Sequence, residues 1–208
     1  MRQSFQITTY TQFVAEMNKL AKECRLKNTR YTNPHGLSDR SNHSTAHDQA
    51  QLSSFAMKNS LFRKIVSTKQ HTCETVIPLR LFKERYPYNA VPELATPEFQ
   101  TTDQFVAFPS TWCNSNRLLT VPGFQGVKTG ITQTAGACLS VFYDNQLSGQ
   151  QQVRLVTVVL GSRDIEYRWK DTRRLTLWAA ECIKLNRRQK YGEWGGESNE
   201  AAKAPLKR

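Results

Sequence analysis

The chain has 208 residues, a formal net charge of +12 and a hydrophobic content of 38%. This length corresponds to one domain with a sizeable core, and no apolar run is long enough to predict a transmembrane helix. The positive charge is compatible with nucleic acid, an anionic membrane surface or an acidic protein as a partner, or with a basic solvated surface alone, and it does not choose among them. The five cysteines are odd in number and form no Cys-x-x-Cys or Cys/His cluster. This pattern argues against a zinc site and a disulfide framework, so we expect free thiols and no cofactor.

The first third of the chain is predicted to be mainly helical. Apolar residues recur at helical spacing over residues 11–25, and a loop containing proline and glycine follows. A second helix is expected within residues 44–60, where Thr45 and Asp48 have the spacing of a capping box. Residues 61–71 are expected to lead into a strand.

Residues 74–111 are the least regular part of the sequence. Five prolines and several aromatic residues interrupt any period there. We interpret this stretch as a long excursion packed by its aromatic side chains, of a kind that is often functional or partner-binding. Strands are then predicted at 126–130, 137–144 and 153–161, with a hairpin turn at 144–150.

A closing helix is predicted over residues 168–185, and residues 187–208 are predicted to form a mobile charged tail. The side of this helix predicted to be buried carries Trp169, Leu175, Trp178, Ala179 and Cys182. Residues 1–186 are therefore predicted to form one α/β-mixed (α+β) unit, with helices first, then an antiparallel sheet and a closing helix.

The segment GVKTGITQTAGACL, residues 126–139, places a lone lysine in a strand-like stretch, where an ammonium is costly unless an anion meets it. The Lys-Thr-Gly of residues 128–130, followed by Ala-Gly at the start of the next strand, resembles the third motif of the penicillin-binding serine hydrolases. In that chemistry Lys128 attracts a substrate carboxylate and Thr129 hydrogen-bonds it. Gly130 leaves room for a substrate backbone, and the backbone N–H of Ile131 supplies one oxyanion donor.

A wider resemblance covers residues 11–185 outside the excursion. It is carried, in this order, by FVAEMNKLAKECRLKNTRYTNPHGL, STAHDQAQL, FRKIVSTKQ, WCNSNRLL, GVKTGITQTAGACLSV and VVLGSRDIEYRWKDTRRLTLW. These segments resemble the C-terminal part of the catalytic domain of D-alanyl-D-alanine carboxypeptidases. The resemblance implies a penicillin-binding-protein/β-lactamase-like fold, with an antiparallel sheet and flanking helices but without the N-terminal part. It also implies a peptide ending in D-Ala-D-Ala as the substrate.

The resemblance also implies roles for residues outside the Lys-Thr-Gly motif. It implies that Arg168 supports the carboxylate end of the site, and a salt bridge at the helix start is the alternative for this residue. The Asn-Pro-His-Gly-Leu of residues 33–37 is interpreted as a structural loop. Some relatives carry a histidine directly after Lys-Thr-Gly, where this sequence has Ile131, so that polar contact is expected to be absent.

Two motifs of such enzymes are missing from these 208 residues. No serine has a lysine three positions later, and no Ser-x-Asn is present. We therefore expect that the chain begins after the catalytic serine, that it is inactive alone, and that strand 153–161 is an exposed edge needing a protein partner.

Three interpretations remain open: a truncated product, half of a split enzyme, or a non-catalytic subunit of a larger assembly. The resemblance implies an extracytoplasmic location. A mitochondrial or intracellular location is the alternative, because no apolar signal core is recognised.

Overall fold

A computed structural model describes residues 9–78, residue 81, and residues 105–147 and 151–190. Two compact units are distinguished, one within residues 1–67 and 116–208 and the other within residues 68–115. The elements follow in the order α1 (Tyr10–Glu23), α2 (Ala46–Ala56), α3 (Ser60–Ser67), β1 (Gln70–Pro78), β2 (Phe105–Cys113), a 3₁₀ turn (Arg117–Thr120), β3 (Phe124–Thr132), β4 (Gly136–Leu147), β5 (Gln151–Ser162) and α4 (Ile165–Lys190). None of the helices in these ranges is long and apolar enough to cross a membrane.

The first unit is built on a three-stranded antiparallel sheet with the order β3-β4-β5. Side chains alternate between its two faces. On one face a core cluster packs against α4, and this cluster includes Leu118, Phe124, Leu139, Val141, Tyr143, Val153, Trp169 and Ala180. On the other face Ser140 of β4 lies against α2, because its Oγ is 2.8 Å from the Oγ of Ser53. The predicted α/β-mixed class, with an antiparallel sheet and flanking helices, is confirmed.

The three predicted strands exist and are longer than predicted. Their pairing continues through Leu147 and Gln151, so most of the predicted 144–150 turn is strand. Only residues 148–150, outside the described part, separate β4 from β5. Strand β4 continues through Asp144, whose carboxylate accepts hydrogen bonds from Gln152 and Arg154 on the neighbouring strand.

The buried face of α4 differs from the predicted one. Trp169 is buried as expected, but Trp178 is 65% exposed and Leu175 is 43% exposed. The helix instead buries small and β-branched side chains, namely Thr172, Thr176 and Ala180. The Thr176 hydroxyl donates to Thr172 O at 2.7 Å, and its oxygen lies 2.8 Å from the Thr157 hydroxyl of β5, which can donate to it. These contacts let the helix lie close to the sheet and leave the large apolar residues outside.

Two predictions about the helical region need correction. The hydroxyl of Thr45 caps α2 by accepting from Asp48 N at 3.1 Å, but the Asp48 carboxylate does not complete a capping box. That carboxylate binds Asn28 N and the Thr29 hydroxyl, which tie the loop after α1 to α2. Residues 60–67 form α3 rather than the start of a strand, because their apolar residues recur every three to four positions.

The second unit contains an antiparallel ribbon of β1 and β2, which pair from Gln70 opposite Cys113 to Pro78 opposite Phe105. Both ends of the irregular stretch 74–111 are therefore strand. A two-stranded ribbon tolerates Pro109 because each strand is an edge, where a missing N–H need not interrupt a ladder. Residues 82–104, which hold most of the predicted aromatic packing, lie outside the described residues, as do residues 191–208 of the predicted tail.

Candidate functional site: the Lys-Thr-Gly edge

The Lys-Thr-Gly motif lies on β3, a free edge of the three-stranded sheet. Lys128 pairs with Ser140 and Thr129 pairs with Leu139, so these two polar side chains border the edge from opposite faces of the sheet. Gly130 and Thr132 share the face of Lys128. A backbone that added to this edge would therefore meet both polar groups of the motif.

The space beside the motif is open. A Cβ built on Gly130 has no heavy atom within 4 Å, so an approaching chain finds room there. Lys128 is exposed, and its ammonium donates to the carbonyl of Thr129. In the described part of the chain, no carboxylate lies within ion-pair distance of Lys128. The ammonium is therefore available to an external anion.

Arg168 holds the motif strand from the α4 side of the sheet. It is 6% exposed, and its Nη1 donates to Gly130 O at 3.0 Å and to Cys138 O at 3.2 Å. Its guanidinium carbon lies 4.3 Å from the ring centroid of Trp169. Burial lowers the pKa of Arg168 below its usual value. The guanidinium thus joins the backbones of β3 and β4 at the point where Gly130 faces Cys138.

The salt-bridge alternative for Arg168 is wrong for the part of the chain that the structure describes. The ion pair near the start of α4 is made by Arg117 and Glu166, at 2.6 Å. No carboxylate there lies within 4 Å of Arg168. Because the guanidinium contacts strand carbonyls, any influence on a bound carboxylate would pass through the position of β3.

The start of β3 is fixed by a second set of contacts. The Asn116 side chain is buried; its amide donates to Gly126 O, and its Oδ1 accepts from Leu118 N at 3.1 Å. Gly126 has φ +48°, and a Cβ added to it would lie 2.6 Å from Cγ2 of Val66 in α3. Glycine is therefore required here for the close approach of α3 to β3.

The loop of residues 33–37 has the predicted structural role. Asn33 is buried, donates from its amide to Leu37 O at 2.9 Å and accepts from Gly36 N at 2.9 Å. The Asn33 side chain is therefore used within the loop.

The same loop also reaches the candidate site. The hydroxyl of Ser38 donates to that of Thr132 at 3.0 Å, at the C-terminal end of the motif strand. Neither residue is among those predicted for the site. The available signal was that Thr132 lies two positions beyond Gly130, on the face of Lys128.

Two histidines of the first unit, His35 and His47, have partners away from the Lys-Thr-Gly edge. His35 accepts from Leu37 N within its own loop, and His47 lies beside Asp48 at 3.5 Å. Across the described ranges, no group of three or more His, Cys, Asp or Glu side chains is arranged to hold a metal ion. The site is thus a strand edge with an exposed ammonium, that of Lys128, which has no ion-pair partner among the described residues.

The chain matches the model of a known protein family. The profile of the D-alanyl-D-alanine carboxypeptidase family, a group of serine peptidases, matches residues 8–164. The chain belongs to this family. The predicted resemblance is confirmed, and the matched segment contains the whole Lys-Thr-Gly edge.

Curated and solved D-alanyl-D-alanine peptidases are similar to this chain over part of their length. A D-alanyl-D-alanine carboxypeptidase of Streptomyces sp. (strain K15) is 34% identical over 128 residues, which are 61% of this chain and 36% of that protein. The D-alanyl-D-alanine carboxypeptidase DacF of Bacillus subtilis (strain 168) is 29% identical over 153 residues, or 73% of this chain and 30% of that protein.

Solved structures of DD-peptidases are also similar to this chain. A mutant of the Streptomyces K15 DD-transpeptidase has a TM-score of 0.63 at 28% identity, covering 85% of this chain and 57% of that chain. The D-alanyl-D-alanine carboxypeptidase DacD from Francisella tularensis has a TM-score of 0.58 at 26% identity, covering 83% and 45%. This family member thus spans about a third of the curated relatives and about half of the solved chains.

Proposed function

We propose that this chain supplies the carboxylate-binding part of a D-Ala-D-Ala peptidase site. The observation that carries the proposal is the placement of Lys128, Thr129 and Gly130 on a free strand edge with open space beside the glycine. A peptide can add to such an edge through backbone hydrogen bonds, with its side chains and terminus read by neighbouring groups. The substrate class is a peptide ending in D-Ala-D-Ala, in line with the family to which the chain belongs.

Each motif residue has a role in this proposal. The Lys128 ammonium attracts the terminal carboxylate of the peptide, and the Thr129 hydroxyl donates a hydrogen bond to it. The N–H of Ile131 supplies one oxyanion donor for the scissile carbonyl. Arg168 is a positioning residue, because it fixes the Gly130 carbonyl without contacting the peptide.

The same proposal holds that these 208 residues form no acyl-enzyme by themselves. Acyl transfer needs a nucleophile with an adjacent base, and the sequence contains neither Ser-x-x-Lys nor Ser-x-Asn. Members of such a catalytic group act together, so removing the nucleophile and its base leaves little turnover.

Covalent labelling with a fluorescent penicillin tests the absence of acylation. The purified chain is incubated with the label, denatured and analysed by gel fluorescence beside an intact D-Ala-D-Ala carboxypeptidase. We expect a labelled band for the intact enzyme and none for this chain. A labelled band at the mass of this chain would show that it carries a nucleophile that the motif search does not recognise.

We further propose that another polypeptide segment covers this unit. In the described sheet, β5 pairs only with β4, so its other edge is open. Large apolar side chains are also exposed along one side of α4 and one side of α1: Leu175, Trp178 and Leu185, and Tyr10, Phe13 and Leu20. Exposed apolar surface of this kind marks an interaction site.

The residues that the covering segment carries distinguish a split enzyme from a structural subunit. In a split enzyme it carries the serine and lysine and brings them to the Lys-Thr-Gly edge; in a structural subunit it covers β5 without them. Native mass spectrometry of the endogenous protein, followed by penicillin labelling of the same sample, separates the two. A labelled partner supports the split enzyme, an unlabelled complex supports the subunit, and a stable lone chain contradicts the covering segment.

A further inference from the structure

A groove lies on the α2 side of the sheet, away from the Lys-Thr-Gly edge. It has a volume of about 250 Å³ and is bounded by the end of α2, the start of α3 and strands β4 and β5. Its apolar lining includes Met57, Phe142 and Val156. Phe142 and Val156 are directly opposite each other on neighbouring strands, so they form a continuous apolar floor.

The groove is separate from the Lys-Thr-Gly edge. Lys128 pairs with Ser140, and the Ser140 hydroxyl is bonded to Ser53 of α2. Helix α2 therefore contacts β4 between Lys128 and the groove. A ligand in the groove would not occupy the position of the proposed peptide.

The rim of the groove is cationic. Lys58, Arg63 and Arg154 line it, and no acidic side chain is among its lining residues. Arg154 is neutralised by Asp144, whose Oδ2 accepts from Arg154 Nε at 3.1 Å. Lys58 and Arg63 have no carboxylate within ion-pair distance in the described ranges. Two positive charges at the groove are thus without a counter-charge.

One of these cations has a buried donor without an acceptor. The Nε of Arg63 is inaccessible to solvent, and it has no hydrogen-bond partner among the described residues. A buried donor left unsatisfied costs free energy, most of all when it belongs to a charged group. An anion bound in the groove would balance the charge of the Arg63 guanidinium.

We propose that this groove binds a small organic anion, namely a carboxylate with an apolar aryl or alkyl body. The apolar body lies on Phe142 and Val156, and the carboxylate accepts from Arg63 and attracts Lys58. The groove is slightly smaller than the ~300–1,000 Å³ typical of pockets for drug-sized ligands, which favours a small molecule. Recognition of the ligand needs both its apolar body and its carboxylate, because the apolar contact positions the ligand and the cations select its negative charge. The inference does not depend on the proposed peptidase function.

The test is a titration of the ¹⁵N-labelled full chain with 4-phenylbutyrate, followed by two-dimensional amide NMR. The neutral control is 4-phenylbutan-1-ol, which has the same apolar body without the charge. We expect saturable shifts at Phe142, Val156 and the α2–α3 junction with the acid, and at least about fivefold weaker binding of the alcohol. Equal affinity for both compounds, or shifts confined to other surfaces, would overturn the proposal.

Variants separate the charge of the groove from its shape. Arg63→Gln and Lys58→Gln are each expected to weaken phenylbutyrate binding, Arg63→Gln by about tenfold because it removes a charge-assisted hydrogen bond. Arg173→Gln, on the exposed side of α4, is the matched control and should leave the affinity unchanged. Unchanged affinity in the Arg63 variant, with a native amide spectrum, would show that the groove is not an anion site.

Discussion

Asp48 shows at the scale of one residue how a buried charge is stabilised. It is 2% exposed, and its Oδ2 accepts from Asn28 N at 2.8 Å and from the Thr29 hydroxyl at 2.7 Å. The Thr29 hydrogen bond is the main cause that lowers the pKa of Asp48, with help from Asn28 N–H and His47 and against the effect of burial. The carboxylate therefore stabilises the junction of α1 and α2 in its charged form.

This lowered pKa gives the stability a pH dependence. A carboxyl whose folded pKa lies below its unfolded value stabilises the protein above the unfolded value, which is about 3.9 for aspartate. That contribution is lost as the pH falls through the folded pKa. We expect Asp48→Asn to lower the melting temperature at pH 7, and the difference from the native chain to narrow below about pH 4. Asp39→Asn, in an exposed turn, is the control; a difference for Asp48→Asn that is independent of pH would contradict this account.

Arg168 is a second residue whose side chain stabilises more than one element of the fold. It donates to carbonyls of two strands, one of them in the Lys-Thr-Gly motif. We expect Arg168→Met to destabilise the fold by about 2 kcal/mol, because two carbonyls lose a charged donor. It should also shift the amide resonances of Gly130 and Cys138.

The matched control for this change is Arg173→Met on the exposed side of the same helix, which should stay within about 0.5 kcal/mol of the native chain. Urea unfolding measures both variants. Equal stability of the two variants would show that the Arg168 contacts do not hold the strand pair.

At the scale of elements, the strands could be predicted from the sequence, whereas the buried face of helix α4 was predicted wrongly. The motif strand and its two partners follow from runs rich in β-branched and apolar residues and from a short turn between Thr132 and Gly136, and the structure confirms all three. The family fold and the motif positions follow from the resemblance. The sequence cannot show that Ser38 reaches Thr132, because this contact joins residues 94 positions apart.

Helix α4 shows why hydrophobicity alone gives the wrong face. Its buried side carries Thr172 and Thr176, and the Thr176 hydroxyl is hydrogen-bonded within the helix and across to β5. Its exposed side carries Leu175 and Trp178. A periodicity argument selects the large apolar residues and passes over threonine. The partly exposed apolar side is the surface that we propose a partner segment covers.

Two tryptophans on this helix provide a direct comparison. Trp169→Ala should cost about 3–5 kcal/mol, because it removes a buried ring from the core. Trp178→Ala should change the stability of the isolated chain by less than about 0.5 kcal/mol, since its ring is exposed. Chemical unfolding of both variants measures the loss of stability in each. A large loss for the Trp178 variant would mean that the side chain packs within the chain.

At the scale of the whole molecule, the described residues include both the strand edge that carries Lys-Thr-Gly and apolar surface that is exposed to solvent. The chain keeps the strand that the family uses for Lys-Thr-Gly, together with the contacts that position it from α3, α4 and the 33–37 loop. It also leaves the β5 edge and the apolar side of α4 open. An open strand edge in a sequence without Ser-x-x-Lys and Ser-x-Asn fits the proposed binding of a peptide carboxylate without acylation.

The most direct test of this account is an NMR titration of the chain with N-acetyl-D-Ala-D-Ala and, separately, with its C-terminal amide. The account predicts saturable shifts over residues 128–132 with the acid, binding about tenfold weaker or more for the amide, and a similar loss with Lys128→Ala, because the ammonium recognises the carboxylate. The Lys58→Gln variant, at the separate groove, should bind the peptide as the native chain does. Equal binding of acid and amide, or an unaffected Lys128→Ala variant, would contradict the assignment of this edge as a carboxylate site.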